Sequence, residues 1–311
     1  MVKNSWISRL YAFIVLGRPI FLVAGVIFHA LGIAAALYSG ATLDTTALLW
    51  GQIAITAIQW TTHYSNDYFD LKADRANPTP TNWSGGSRIL TDDVLPPQVA
   101  LITALVMAGI AVTAAIILRF AVGTGALTIP LILLALFLAW FYSAPPLRLH
   151  SRGLGELVGA LLIPGLTVLT GFYLQYGRLT VLPLLAIFPL SCLQFCMLLA
   201  VAFPDAAGDS AVGKRTLVVR LGSRNAAQLY AALMTAAYLS LPLLVVMGLP
   251  ALVALAIGLM SPLALWQLWR IKDTRDPLRW NRFAFFSIGL LFGTAVVEAV
   301  AFMLLVGVSA A

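Results

Sequence analysis

Residues 61–90 read TTHYSNDYFDLKADRANPTPTNWSGGSRIL, and this stretch decides the fold. It ends a hydrophobic segment and carries Asn66, Asp67, Asp70 and Asp74. At about 100° per helical residue, Asn66, Asp70 and Asp74 form one stripe, with Asp67 close beside it. A second pair, Asp205 and Asp209, follows another hydrophobic segment with the same four-residue spacing. The chain has only 12 acidic residues. Concentrating its carboxylates in two places points to a cation site.

The surroundings of the stretch are apolar. Of 311 residues, 61% are hydrophobic and 10% charged, and the mean hydropathy is +0.94. A soluble domain carries about 25% charged residues. The solvent of this chain is therefore lipid, where only helices and closed barrels satisfy their own backbone. The apolar runs are continuous and do not alternate over about ten residues, which selects helices. The net charge of +7 would suit nucleic acid, but its distribution is that of a membrane topology, and no nucleic-acid partner is expected. Cys192 and Cys196 lie four apart in an apolar run and read as packing residues.

Nine spanning segments are expected, near 19–38, 46–64, 97–118, 124–142, 155–176, 181–203, 226–246, 249–269 and 283–308. Together they make an all-α membrane protein, with residues 19–311 forming one nine-helix domain. Residues 1–18 form a cytoplasmic N-terminal segment with an interfacial helix near 6–16. The basic residues alternate with the spans. Lys3, Arg9 and Arg18 precede the first; Lys72, Arg75 and Arg88 follow the second; Arg148 and Arg152 follow the fourth. Lys214, Arg215, Arg220 and Arg224 follow the sixth, and Arg270, Lys272, Arg275, Arg279 and Arg282 follow the eighth. Of the 19 Lys and Arg, only Arg119 and Arg178 lie on the other side. The positive-inside rule then puts the N-terminus and both acidic clusters in the cytoplasm and the C-terminus outside.

Gathered carboxylates repel unless a cation joins them. Mg²⁺ takes carboxylate oxygens, waters and often a substrate phosphate, and it improves a diphosphate leaving group by neutralising the developing charge. Arg148, Lys214 and Arg215 lie on the same side and suit diphosphate oxygens. A loop acid often caps a helix or is simply solvated. Two clusters with matching spacing, on one membrane side and with basic neighbours, outweigh that reading.

These residues resemble the UbiA superfamily of intramembrane aromatic prenyltransferases. Its first motif, N-D-x-x-D-x-x-x-D, matches Asn66 to Asp74, and its second, D-x-x-x-D, matches Asp205 to Asp209. The likeness extends to Arg18-Pro19, to Tyr142-Ser143-Ala144-Pro145-Pro146-Leu147-Arg148, and to the run from Gly213 to Gly222. It implies nine helices around a central cavity, Mg²⁺, an isoprenyl diphosphate donor and an aromatic acceptor, in a bacterial inner membrane. By that analogy Asp67, Asp70, Asp205 and Asp209 are catalytic metal ligands, with Asn66 and Asp74 completing the site. Lys72, Arg148, Lys214 and Arg215 hold diphosphate. Tyr64, Tyr68 and Tyr142 are candidates to face the allylic cation.

The run from Gly213 to Gly222 and the segment Ser84-Gly85-Gly86-Ser87-Arg88 are similar to the menaquinone-pathway branch, whose acceptor is 1,4-dihydroxy-2-naphthoate. Other acceptors (4-hydroxybenzoate, homogentisate) and terpene cyclisation are the alternatives. A secondary transporter is the non-enzyme alternative, disfavoured because its site would lie near the midplane. Pro204, just before Asp205, is expected to bend the chain there. Glu156, near the start of the fifth segment, is expected either to orient an acceptor hydroxyl or to pair with Arg152. Glu298 and His29 read as structural.

Overall fold

The computed structural model describes residues 6–310; Lys3 lies outside them. The described residues contain helices and no strand. In chain order these are α1 (Trp6–Leu16), α2 (Pro19–Tyr38), α3 (Thr45–Ala76), α4 (Pro97–Ile116), α5 (Thr128–Phe141), α6 (Gly155–Ala160), α7 (Thr167–Tyr176), α8 (Val181–Ala202) and α9 (Ala206–Ala211). There follow α10 (Leu217–Leu239), α11 (Leu241–Val246), α12 (Ala251–Gly258), α13 (Ser261–Trp269) and α14 (Trp280–Ala310).

Seven helical stretches are long and apolar enough to cross a membrane: Pro19–Tyr38, Pro97–Ala121, Gly155–Tyr176, Val181–Ala202, Leu217–Val246, Ala251–Trp269 and Trp280–Val308. They match seven of the nine expected segments. The other two differ for identifiable reasons. Helix α3 has 32 residues, but Gln52, Gln59 and His63 dilute its apolar half. Helix α5 has only 14 residues, because the turn at Gly123–Gly125 delays its start.

The helices pack in a ring. Helix α3 lies against α4, α5 against α7, α7 against α2, α2 against α14, and α14 and α10 against α8. At the α2–α7 crossing the backbones nearly touch: a Cβ on Gly32 would lie 2.2 Å from the Val168 carbonyl oxygen, and one on Gly171 2.6 Å from that of His29. Small residues at such crossings let dispersion replace the hydrophobic drive that lipid does not supply. Between α6 and α7, residues Leu161–Leu166 widen into a π-helix around Pro164, which has no N–H to donate. That bulge turns Leu162, Ile163 and Leu166 toward the middle of the ring.

There the ring encloses a mostly apolar cavity with an empty volume of about 1290 Å³, its open mouth included. Phe21 and Ala24 of α2, Ile55 and Ile58 of α3, Ala135 of α5 and Met197 of α8 are among its walls. Cys192 and Cys196 are free and buried, as packing residues should be.

Candidate active site

Helix α3 runs on past its apolar half to Ala76, with Asn66, Asp67, Asp70 and Asp74 on its last turns. Helix α8 stops at Ala202. A turn holding Pro204 redirects the chain, and Asp205 heads the short α9 that carries Asp209. The expected bend is therefore present, and it swings the second motif toward the first. Asn77, just past α3, donates from Nδ2 to Oδ1 of Asp205 at 2.7 Å, and Thr79 donates to the Pro204 carbonyl at 3.1 Å. Asn66, Asp70, Asp74, Asp205 and Asp209 all line one polar pocket of about 680 Å³ empty volume, which Lys214 and Arg18 share.

The carboxylates have defined neighbours. Lys214 Nζ lies 3.2 Å from Asp70 Oδ2 and 3.1 Å from Asp209 Oδ1, bridging the two motifs. Arg18 pairs with Asp67, whose other oxygen accepts from the Ser87 N–H at 3.1 Å and from the Ser87 hydroxyl. Asn66 Nδ2 donates to Asp70 at 2.7 Å and to the Ser143 hydroxyl at 2.8 Å. The segment Ser84–Ser87 closes over the acids. Ser84 and the Gly85 backbone bond Asp205, and Gly86, at φ 76°, leaves room for Asp74: a Cβ there would lie 2.4 Å from its Oδ2.

Crowding shifts the titrations. Burial, then Asp70 and Asp67, push Asp74 up to about 8, against the pull of Arg18. Burial, then Asp209, push Asp205 up to about 7, against hydrogen bonds from Ser84 and the attraction of Lys214. Burial works against charge on Lys214, but Asp70 and Asp209 outweigh it and hold the ammonium above the usual lysine range. Burial and Lys214 push His150 down to about 4, so its imidazole is neutral at pH 7.

The structure gathers some of the expected site residues and not others. Five of the six motif residues line the pocket; Asp67 does not, and is held beside it by Arg18 and Ser87. Of the expected diphosphate ligands, only Lys214 lines the pocket; Lys72, Arg148 and Arg215 are exposed outside it. Tyr142 lines both the pocket and the apolar cavity. Tyr64 instead donates to the Phe13 carbonyl at 3.0 Å, and Tyr68 stacks edge-on against Phe69, both away from the cavities. Glu156 lines the pocket without pairing with Arg152, which donates to the Pro146 carbonyl. Arg18, Asn77, Ser84, Ser87 and His150 are site neighbours that sequence reasoning did not single out as site residues. The signals available were Arg18-Pro19 and the segment Ser84-Gly85-Gly86-Ser87, both part of the family likeness; Gly85 and Gly86 are both at positive φ.

The donor set suits Mg²⁺, which takes hard oxygen ligands and keeps several waters. Asp70, Asp74, Asp205 and Asp209 bring carboxylate oxygens to the pocket lining, and Asn66 adds an amide oxygen. Among the described residues no three His, Cys, Asp or Glu side chains form a preassembled metal cluster. Arg18 and Lys214 supply the counter-charge instead. The polar pocket opens onto the apolar cavity across Arg18, Asn66, Trp83, Tyr142, Leu198 and Val201, which line both. A ligand with a charged head and a hydrocarbon tail fits such a pair.

A helical membrane bundle with a charged mouth over an apolar cavity defines an enzyme class that works on amphiphiles from inside the bilayer. Residues 13–290 match the UbiA prenyltransferase family, and the chain belongs to it. It is a prenyltransferase. A 1,4-dihydroxy-2-naphthoate octaprenyltransferase of Bacillus subtilis (strain 168) is 26% identical over 234 residues, 75% of this chain and 73% of the relative. An apo UbiA homolog from Aeropyrum pernix K1 superposes with TM-score 0.68 at 18% identity, covering 89% of this chain and 97% of that one. A UbiA homolog from Archaeoglobus fulgidus bound to GPP and Mg²⁺ superposes with TM-score 0.64 at 16% identity, covering 92% and 99%.

Proposed function

We propose that this prenyltransferase moves a polyprenyl group from an isoprenyl diphosphate to 1,4-dihydroxy-2-naphthoate, with Mg²⁺ as cofactor. The observation that carries the reading is the polar pocket where both acidic motifs meet, open to an apolar cavity of about 1290 Å³. Support for this acceptor comes from the likeness to the Bacillus subtilis relative. Asp70, Asp205 and Asp209 would hold the metal, with Asn66 and Asp74 completing its surroundings, and Asp67 would join them on release from Arg18 and Ser87. When bound, the metal neutralises charge on the departing diphosphate.

The chain's own groups do the rest. Lys214 and Arg18, inside the pocket, bond diphosphate oxygens. Lys72, Arg148 and Arg215, on the rim, draw the anion toward the mouth. The bond from carbon to diphosphate oxygen breaks with its electrons leaving on the diphosphate, a ring carbon of the acceptor attacks the allylic carbon with a π electron pair, and the ring regains aromaticity by losing the proton, or the carboxyl group as CO₂, that this carbon carried. Tyr142, at the seam between pocket and cavity, turns its ring face to the allylic cation. The apolar walls keep water from capturing that cation.

The first half of α3 and the whole of α5 cross the bilayer with the seven apolar stretches, giving nine spans in a single domain over 19–311. Residues 1–18 lie on the cytoplasmic face of a bacterial inner membrane, the C-terminus is outside, and the site opens to the cytoplasm. Support for that orientation comes from the basic residues around the mouth.

The test is turnover in liposomes with labelled octaprenyl diphosphate and 1,4-dihydroxy-2-naphthoate, 4-hydroxybenzoate, homogentisate or no acceptor, with Mg²⁺ present or chelated. A prenylated naphthoquinol that disappears on chelation is expected. Product with only another acceptor overturns the naphthoate assignment. Diphosphate release with a cyclised hydrocarbon and no coupled product overturns the transfer itself.

A further inference from the structure

Glu156 is 2% exposed and lines the polar pocket, yet beyond its own backbone N–H neither of its carboxylate oxygens has a hydrogen-bond partner in the protein. A buried carboxylate without partners costs several kcal/mol. Such a group persists where it meets a ligand that the free protein lacks. Every other acid lining the pocket belongs to one of the two motifs. Glu156 comes from a different element, α6, on the Tyr142 side of the pocket.

Its neighbourhood suits a ring. The His150 imidazole stacks on the Tyr142 ring with centroids 5.0 Å apart and planes 9° from parallel. Both residues line the pocket, and His150 Nδ1 is buried with no partner. It sits over Gly155, where a Cβ would come within 2.4 Å of it, so the residue before Glu156 must be small for the imidazole to hold this position. A flat aromatic wall thus stands beside an acceptor-only oxygen pair, at the seam where Tyr142 also faces the apolar cavity.

We infer that Glu156 accepts a hydrogen bond from a ring hydroxyl of a phenolic acceptor, whose ring lies along the Tyr142–His150 stack. This deepens the proposed function and rests on it. In its ionised form the Glu156 carboxylate only accepts, so the site then selects a hydroxyl over an ether or a bare ring. A site built to bond a hydroxyl discriminates strongly against an analogue lacking it, because its own buried group is then left unpaired. Placing the hydroxyl there holds the ring between the diphosphate site and the cavity, within reach of the carbon that leaves the diphosphate.

The experiment measures equilibrium binding and turnover of 1,4-dihydroxy-2-naphthoate and its dimethoxy counterpart by the full-length protein and by Glu156→Gln. The natural protein should bind the dihydroxy compound roughly 10- to 100-fold more tightly than the dimethoxy one, as expected for a hydrogen bond to a charged group. In Glu156→Gln that preference should fall to within a few-fold, acceptor KM should rise, and KM for the isoprenyl diphosphate should stay the same. Unchanged discrimination in Glu156→Gln overturns the inference, whatever the turnover. Equal binding of the two compounds by the natural protein also overturns it, even if the variant fails to fold. Glu156-dependent binding without any prenylated product leaves the inference standing and overturns the proposed reaction instead.

Discussion

Asn77 Nδ2 lies 2.7 Å from Asp205 Oδ1, joining residues 128 positions apart in the chain. This hydrogen bond links the end of α3 to the start of α9 and so holds the two acidic motifs in register. Its partner in that task is Gly208. A Cβ there would lie 2.8 Å from the Asn77 Cα and 2.9 Å from its nitrogen, both backbone atoms that cannot step aside. Gly208→Ala should therefore push α9 off α3. A displacement near 1 Å at a reacting site costs about 100-fold in rate, and overpacking costs about 1–3 kcal/mol. Turnover and melting of Gly208→Ala check both. Asn77→Ala should lose activity in the same direction, since it removes a hydrogen bond to a charged acceptor worth about 1.5–3 kcal/mol.

Lys214 is the only lysine of the pocket, and it faces Asp70 and Asp209 at once. All three side chains are well buried. Removing the ammonium leaves two carboxylates confronting each other, and breaking a buried pair costs about 3–5 kcal/mol. Lys214→Ala should melt well below the natural protein in chelator. Mg²⁺ should restore more stability to the variant than it gives the natural protein, because it replaces a missing counter-charge. Thermal melts with EDTA and with MgCl₂ measure this directly. Equal gains in both proteins would show that the metal does not bind between these acids.

Much of this architecture was legible in the residues. Two Asp motifs with four-residue spacing, each ending an apolar segment, placed both halves of the site. The alternation of basic loops with apolar runs laid out most of the helices. Pro204 marked the bend before the second motif. The basic ligands were less legible. Lys72 is two positions after Asp70, about 200° around the same helix, so it projects away from the acid stripe. The same helical geometry argues against the diphosphate role expected of Lys72. Lys214 and Arg215 are adjacent in sequence, and only packing of the turn before α10 decides which one enters the pocket. Arg18 reaches Asp67 from 49 residues away. The closure of Ser84–Ser87 over the acids depends on a loop whose path no periodicity specifies. Segments two and four differ from the other seven because polar residues of α3 (Gln59, Thr62 and His63) line the cavity and because α5 is short.

The raised titrations of Asp74 and Asp205 predict how stability varies with pH in the metal-free protein. Both acids titrate above the usual aspartate value of 3.8, at about 8 and about 7. Between those limits the folded protein binds more protons than the unfolded chain, so stability falls as pH rises. The contribution is fully present below about pH 4 and is lost as pH passes through 7 to 8. Asp273, held low by Arg270 and Arg279 in spite of burial, acts oppositely at acid pH, and His150, pushed down to about 4, acts oppositely up to about pH 6.5. In EDTA the melting temperature should therefore decline between about pH 6.5 and about pH 8, where the two aspartates act without that opposition. Saturating Mg²⁺ should flatten or reverse that slope, since the metal displaces the protons, and its affinity should weaken below about pH 7. A melting temperature that climbs with pH in EDTA would contradict the crowding of these two acids.

Ala135 lies on α5 in the wall of the apolar cavity, seven residues before Tyr142 and so about 10 Å along the helix from the seam. Ala24 faces the same space from α2. A long prenyl tail must pass this level, whereas the diphosphate and the first isoprene unit stay above it. Ala135→Phe should leave the polar pocket intact while narrowing the passage. Forcing a long chain past the new ring should cost about 1–3 kcal/mol, roughly 5- to 150-fold in affinity. Turnover with geranyl diphosphate should change little, while turnover with octaprenyl diphosphate should fall by that factor. Equal losses for the two donors would mean the substitution had disturbed the site itself. Equal retention would mean the tail leaves the bundle sideways between helices before it reaches this depth.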